Sequence, residues 1–166
     1  DEMIKAAKEL RRNDESYKFY MPLSDKKHLD LIKEPLEDLV KVSFNNSQEV
    51  LSNCEIGIIT SGTATLEASL LRTPCVTLYK TGWLSYRLIK PLLQIDHFSL
   101  PNLLAGKELL PELLQDEVNV KNIINAIEKI SLKGLDYYYK EFHAIHENLK
   151  AGSSETAAKE ISHLID

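Results

Sequence analysis

The sequence predicts an α/β fold, a parallel sheet flanked by helices and followed by a helical C-terminal tail, on three observations. Segments of strand and helix period alternate up to about residue 100. The runs "LVKVSF" (39–44), "EIGIIT" (55–60) and "PCVTLY" (74–79) are rich in β-branched residues and bounded by turn or cap residues. After "FSLPNLLAG" (98–106) the remaining segments read as helices. Strict alternation implies strands joined by crossover helices, which makes the strands parallel and covers both faces of the sheet.

The elements follow in order. "EMIKAAKELRR" (2–12) carries Ile4, Ala7 and Leu10 on one side of a helix. "YKFYMPL" (17–23) alternates as a strand does, and Ser24 is positioned to cap a helix over 25–34 that Pro35 ends. A strand over 39–44 leads to a short helix at 47–53, opened by Ser47. A strand at 55–60, a helix at 64–72 and a strand at 74–79 complete the alternation. Helices are then expected over 108–115, 120–131, 135–150 and 153–165, with Gly134 and Gly152 as stops and Ser153 or Ser154 as the last cap. The 166 residues suit one domain, α/β over about 1–100 with its tail over about 101–166, and are too few for two ordinary ones. The chain starts on a helix, whereas a doubly wound unit starts on a strand that lies mid-sheet in the order 3-2-1-4-5. The expectation is a piece whose first strand lies upstream.

A formal charge of −5 argues against a general nucleic-acid binder, which carries a basic field. No apolar run approaches the length of a membrane span, and no secretion signal is visible. Cys54 and Cys75 have no CxxC pairing and read as two buried thiols in a reducing cytoplasm.

The stretch "TSGTATLEAS" (60–69) joins a buried strand to a helix. Ligands of open parallel sheets sit at the carboxyl ends of the strands, where helix N-termini offer unpaired N–H groups to anions. Gly62 lets the backbone come close, and Ser61, Thr63 and Thr65 supply hydroxyls. Glu67 is one position too late for a capping box opened by Thr63. It is therefore either a carboxylate favoured by the helix dipole or an acceptor for paired sugar hydroxyls. No Walker loop, G-x-G-x-x-G or G-x-S-x-G spelling is present.

With its downstream context the stretch becomes specific. "SGTATLEASLLRTPCVTLYK", "LSYRLIK", "FSLPNLLAGKELLPELLQ" and "GSSETAAKEI" resemble, in order and spacing, the lipid-A-disaccharide synthase family, the family-19 glycosyltransferases of GT-B fold. The resemblance covers roughly 55–163 and implies the Rossmann-like C-terminal, donor-binding half of such an enzyme. The family transfers 2,3-diacylglucosamine from UDP to 2,3-diacylglucosamine 1-phosphate, forming the disaccharide of lipid A. The resemblance implies that Ser61, Gly62, Thr63 and Thr65 line the diphosphate and that Glu67 accepts from the ribose. It also implies that Asn102, Glu112 and Gln115 face the donor sugar or its phosphate. Read on local sequence alone, Asn102 after Pro101 is a turn residue and Glu112 after Pro111 is first-turn helix chemistry. The backbone of 42–44 is the candidate contact for uracil. Where the family commonly has Gly before "TP", this chain has Arg72, at a cost of roughly 1 kcal/mol if it is left-handed.

No Asp-x-Asp occurs to hold a divalent ion, so the expectation is no metal and no cofactor, with helix dipoles and hydroxyls stabilising the leaving UDP. No catalytic base is assignable; the resemblance puts it in the absent N-terminal acceptor domain. His143 and His146 at i, i+3 read as a solvated helix face, since no third ligand is apparent. His97 lies nearer the site, either packing locally or touching ligand. "KTGWLSYRLIKPLLQI" (80–95), with Trp83 and Arg87, suits a bilayer interface, a core helix or a subunit contact, and these stay open. A cytoplasmic protein, peripheral on the inner-membrane face and able to form a homodimer, is compatible with that reading. The alternatives are another UDP-sugar GT-B transferase, a UDP-N-acetylglucosamine epimerase, or a non-catalytic nucleotide-binding module.

Overall fold

The computed structural model describes residues 1–36, 38–60, 62–81, 97–150 and 161–162. Ser61, the segment from 82 to 96 with Trp83 and Arg87, and the final helix apart from 161–162 lie outside the described residues.

Helix α1 (Glu2–Asn13) leads to β1 (Phe19–Leu23), a 3-10 turn (Lys26–Leu31), β2 (Val40–Phe44) and α2 (Ser47–Asn53). Then come β3 (Gly57–Thr60), α3 (Thr63–Leu70), β4 (Cys75–Tyr79), α4 (Leu100–Ala105), β5 (Glu112–Leu114), a 3-10 turn (Gln115–Glu117), α5 (Val120–Lys133) and α6 (Leu135–Lys150). Every observed pairing is parallel, as the alternation required.

Two expectations fail locally. Residues 25–34 make a 3-10 turn rather than a helix, and Asp25, not Ser24, caps it by accepting from the Lys27 amide at 2.9 Å. Ser24 instead bonds the His28 ring across 3.3 Å. Residues 108–115 are not a helix either: Glu112–Leu114 pairs with β4 in the register Thr77↔Glu112 to Tyr79↔Leu114.

The strands form two groups, β1-β2 and β3-β4-β5. β4 is central in its group and is buried along four of its five residues, hence its continuous apolar spelling. Gly57 opens β3 opposite Cys75, where a Cβ would come within 3.3 Å of the Cys75 Cβ, so a larger residue would push the strands apart.

The core joins this sheet to the helices. Ile4, Ala7 and Leu10 of α1 are buried, as are Ile123, Ala126, Ile127 and Ile130 of α5 at helical spacing. These two helices pack together, and α6 adds Tyr138, Phe142 and Ile145. The Asn119 side chain starts α5 by accepting from the Asn122 amide at 3.0 Å. His143 and His146 are exposed on α6, and no group of three metal-ligating side chains occurs among the described residues.

Arg72 does adopt the left-handed conformation, with φ of 65°. It closes α3 in a Schellman arrangement: the Thr73 amide donates to the Ala68 carbonyl at 2.8 Å and the Arg72 amide to Ser69 at 3.0 Å. Arg72→Gly is therefore expected to stabilise the fold by about 1 kcal/mol. That corresponds to a rise of about 2–4 °C in Tm for a chain of this size. A thermal melt with an unchanged or lower Tm would contradict the assignment of strain.

Candidate functional site

The turn after β3 folds as it does because its glycine allows it. Gly62 has φ of 63° and ψ of −137°, a region that residues with a Cβ avoid, and it serves as the N-cap of α3. Its carbonyl accepts from the Thr65 hydroxyl at 2.7 Å. Thr65 is fully buried, and its hydroxyl is engaged in shaping the turn. Thr63 is exposed at the first position of the helix. The Thr65 amide donates to the Gly62 carbonyl at 3.3 Å, while the Thr63 and Ala64 amides before it have no intrahelical partner, which gives this end its positive character.

A cleft of about 550 Å³ opens where β3 and β4 end. It is bounded by Thr60, by Leu78 to Lys80, by Val118 and by the first residues of α1. Its volume falls in the ~300–1,000 Å³ range of ligand pockets, and its location is the one at which open parallel sheets take ligands.

Glu67 lies one turn into α3, half-buried, and its Oε1 accepts from Gln48 Nε2 at 2.7 Å. Gln48 is a residue that sequence reasoning missed. It sits on the exposed side of α2, and its partner is 19 positions away, so no local spacing announces it.

Asn102, Glu112 and Gln115 occupy the neighbouring strand end. Asn102 is not a turn residue but a fully buried member of α4. Its Oδ1 accepts from the amides of Leu109 (3.0 Å) and Leu110 (2.8 Å). Its Nδ2 donates to the Leu110 carbonyl (2.8 Å) and to Glu112 Oε1 (2.9 Å). Both acceptor and both donor positions are thus used within the protein. Glu112 opens β5 rather than a helix. Its Oε1 also accepts from the Ser99 hydroxyl and amide, and its Oε2 accepts from the Phe98 amide at 3.2 Å. His97 Nδ1 stands 3.9 Å from Oε2. The carboxylate therefore fixes the segment that enters α4, and His97 packs beside it. Gln115 has φ of 49°, and its Oε1 accepts from the Thr81 amide at 3.2 Å, while its buried Nε2 has no partner among the described residues. This ties the end of β5 to the chain just past β4, beside the cleft.

Gly62, Thr63 and Glu67 thus share one helix start, and Asn102 and Glu112 are bonded to each other. The class these features define is a Rossmann-like α/β domain with a cleft where adjacent parallel strands end, the place at which doubly wound sheets take ligands. The sequence model of the lipid-A-disaccharide synthetase family matches residues 1–164, and the chain belongs to that family. It is similar to the lipid-A-disaccharide synthase of Idiomarina loihiensis, 32% identical over 160 residues, 93% of this chain and 42% of the relative. The synthase of Pseudoalteromonas translucida is 35% identical over 170 residues, 98% of this chain and 44% of the relative. That of Pseudomonas paraeruginosa is 38% identical over 120 residues, 72% and 32%. The chain spans well under half the length of these relatives.

Proposed function

We infer that this chain is the donor-binding half of a glycosyltransferase of lipid A biosynthesis. The whole enzyme moves 2,3-diacylglucosamine from UDP to 2,3-diacylglucosamine 1-phosphate, releases UDP and leaves the lipid A disaccharide. The observation that carries this reading is the cleft at the ends of β3 and β4, beside the α3 N-terminus with Glu67 one turn in, in a chain of this family.

Each group has a role in that reading. The amides at the start of α3, with Ser61, Gly62 and Thr63, meet the diphosphate. Glu67 accepts from the ribose hydroxyls, held in place by Gln48. Thr65 secures the turn and Asn102 secures Glu112, so both act at one remove. Glu112 and Gln115 shape the donor-sugar side. The developing charge on UDP is met by preorganised dipoles and hydroxyls without a metal, a reading supported by the lack of any Asp-x-Asp in the sequence. The acceptor and the catalytic base belong to the N-terminal half of the enzyme. The acylated substrates draw it to the cytoplasmic face of the inner membrane.

Calorimetric titration of UDP into the chain and into its Glu67→Ala variant tests the assignment. A charge-assisted pair of hydrogen bonds predicts a loss of about 1–3 kcal/mol. Gln48→Ala should shift affinity in the same direction by less, because the carboxylate stays but loses its anchor. Equal affinities for wild type and Glu67→Ala would return Glu67 to a plain dipole-favoured carboxylate.

A further inference from the structure

We propose that Lys80 is the ammonium group that meets the phosphates of a nucleoside diphosphate in the cleft, a role that rests on the nucleotide reading above. Lys80 is the residue directly after β4, and it lines the cleft. The register pairs Thr60, the last residue of β3, with Leu78, so the end of β3 lies about one strand spacing of ~4.8 Å from β4, two residues before Lys80. From there β3 leads through Gly62 into α3 and β4 through Tyr79 to Lys80. A flexible four-carbon stem at that position can bring its charge over an anion seated on the helix amides.

The charge around the cleft makes this cation matter. The other ionisable groups on its wall include Asp1 and Glu2, both acidic, and Glu2 is already engaged by Lys5 at 3.3 Å. Among the described residues no carboxylate stands within ion-pair distance of Lys80, and its side chain is exposed. A diphosphate entering the cleft meets two acidic side chains and a helix end worth only about half a positive charge. Among the described lining residues Lys80 is the one basic side chain, set against the carboxylates of Asp1 and Glu2. An isolated surface lysine is ordinarily just solvated; this one is the cation on the wall of a cavity whose other charged members named here are acidic. It binds as a point charge, the way lysines commonly hold phosphate.

The test is calorimetry at low ionic strength with UDP and with uridine, on the chain itself and its Lys80→Met and Lys80→Arg variants. Lys80→Met should weaken UDP at least tenfold, leave uridine unchanged and flatten the salt dependence of UDP binding. Lys80→Arg should keep most of the affinity. UDP affinity unaltered in Lys80→Met while Glu67→Ala weakens it overturns the lysine and leaves the nucleotide reading standing. Equal losses for UDP and uridine would mean a structural effect and also overturn it. A wild-type chain that binds no UDP removes both.

Discussion

Asn102→Leu is expected to lower the unfolding free energy by about 3–5 kcal/mol, the range for breaking a buried hydrogen-bond network. Leucine occupies nearly the same space, so lost packing is not the cause. The cause is that the amides of Leu109 and Leu110, the Leu110 carbonyl and one lone pair of Glu112 all lose their partner together, in a place that water does not reach. Leu109 and Leu110 are themselves core residues, so the strain spreads into the packing of α5 and α6. Asn102→Asp separates shape from charge. It keeps the acceptor for the two amides but turns the donating end into an oxygen facing the Leu110 carbonyl and the Glu112 carboxylate, both acceptors. It should destabilise at least as much as leucine at neutral pH, and less in acid, where a protonated carboxyl can donate. Urea unfolding of the three proteins checks this; a loss under about 1 kcal/mol for Asn102→Leu would show that the network is dispensable.

The same residue shows where the sequence stops being legible. The strand-helix alternation, the Gly62 turn and the stripes of α1, α5 and α6 are local patterns of period two or 3.6, and the structure reproduces them. The left-handed Arg72 was legible only through the resemblance to a family whose members commonly have Gly there. What escaped was set by contacts distant in sequence. β5 is three residues long, in the run "LLPELLQ", whose Pro and Glu spell a helix start equally well. Only pairing with β4 decides in favour of strand. Asn102 looked like a turn residue because its role lies in backbone groups seven and eight positions on. One of the three hydroxyls that the spelling offered, that of Thr65, donates to the Gly62 carbonyl three residues back. Gln48 had no signal at all. The turn at the end of β3 was therefore legible, while the long-range contacts that hold Asn102, Glu112 and Glu67 were not.

Raising the pH should destabilise the protein from about pH 9 upward, with Cys75 as a principal cause. Cys75 is fully buried on the central strand β4, and burial pushes its thiol from an ordinary value of 9.0 up to about 12. In the unfolded chain the thiol ionises near 9; in the folded chain it stays neutral. The stabilisation is thus fully present below pH 9 and is lost as pH rises through 12, because the unfolded state sheds a proton that the folded state keeps. By pH 11 the loss from this group alone amounts to about 3 kcal/mol, at 1.36 kcal/mol per pKa unit. Tyr138 acts in the same direction over a narrower window: burial raises its phenol from 10.0 to about 12, and its hydroxyl has no hydrogen-bond partner among the described residues. Cys75→Ala isolates the thiol. It removes only the sulfur and leaves the Cβ that packs against Gly57, so stability at pH 8 should fall modestly. The difference between urea unfolding free energies at pH 8 and pH 11 should shrink by about 3 kcal/mol relative to wild type. The same difference in both proteins would mean that other groups carry the alkaline lability, and that this sulfur is not held in its neutral form by the fold.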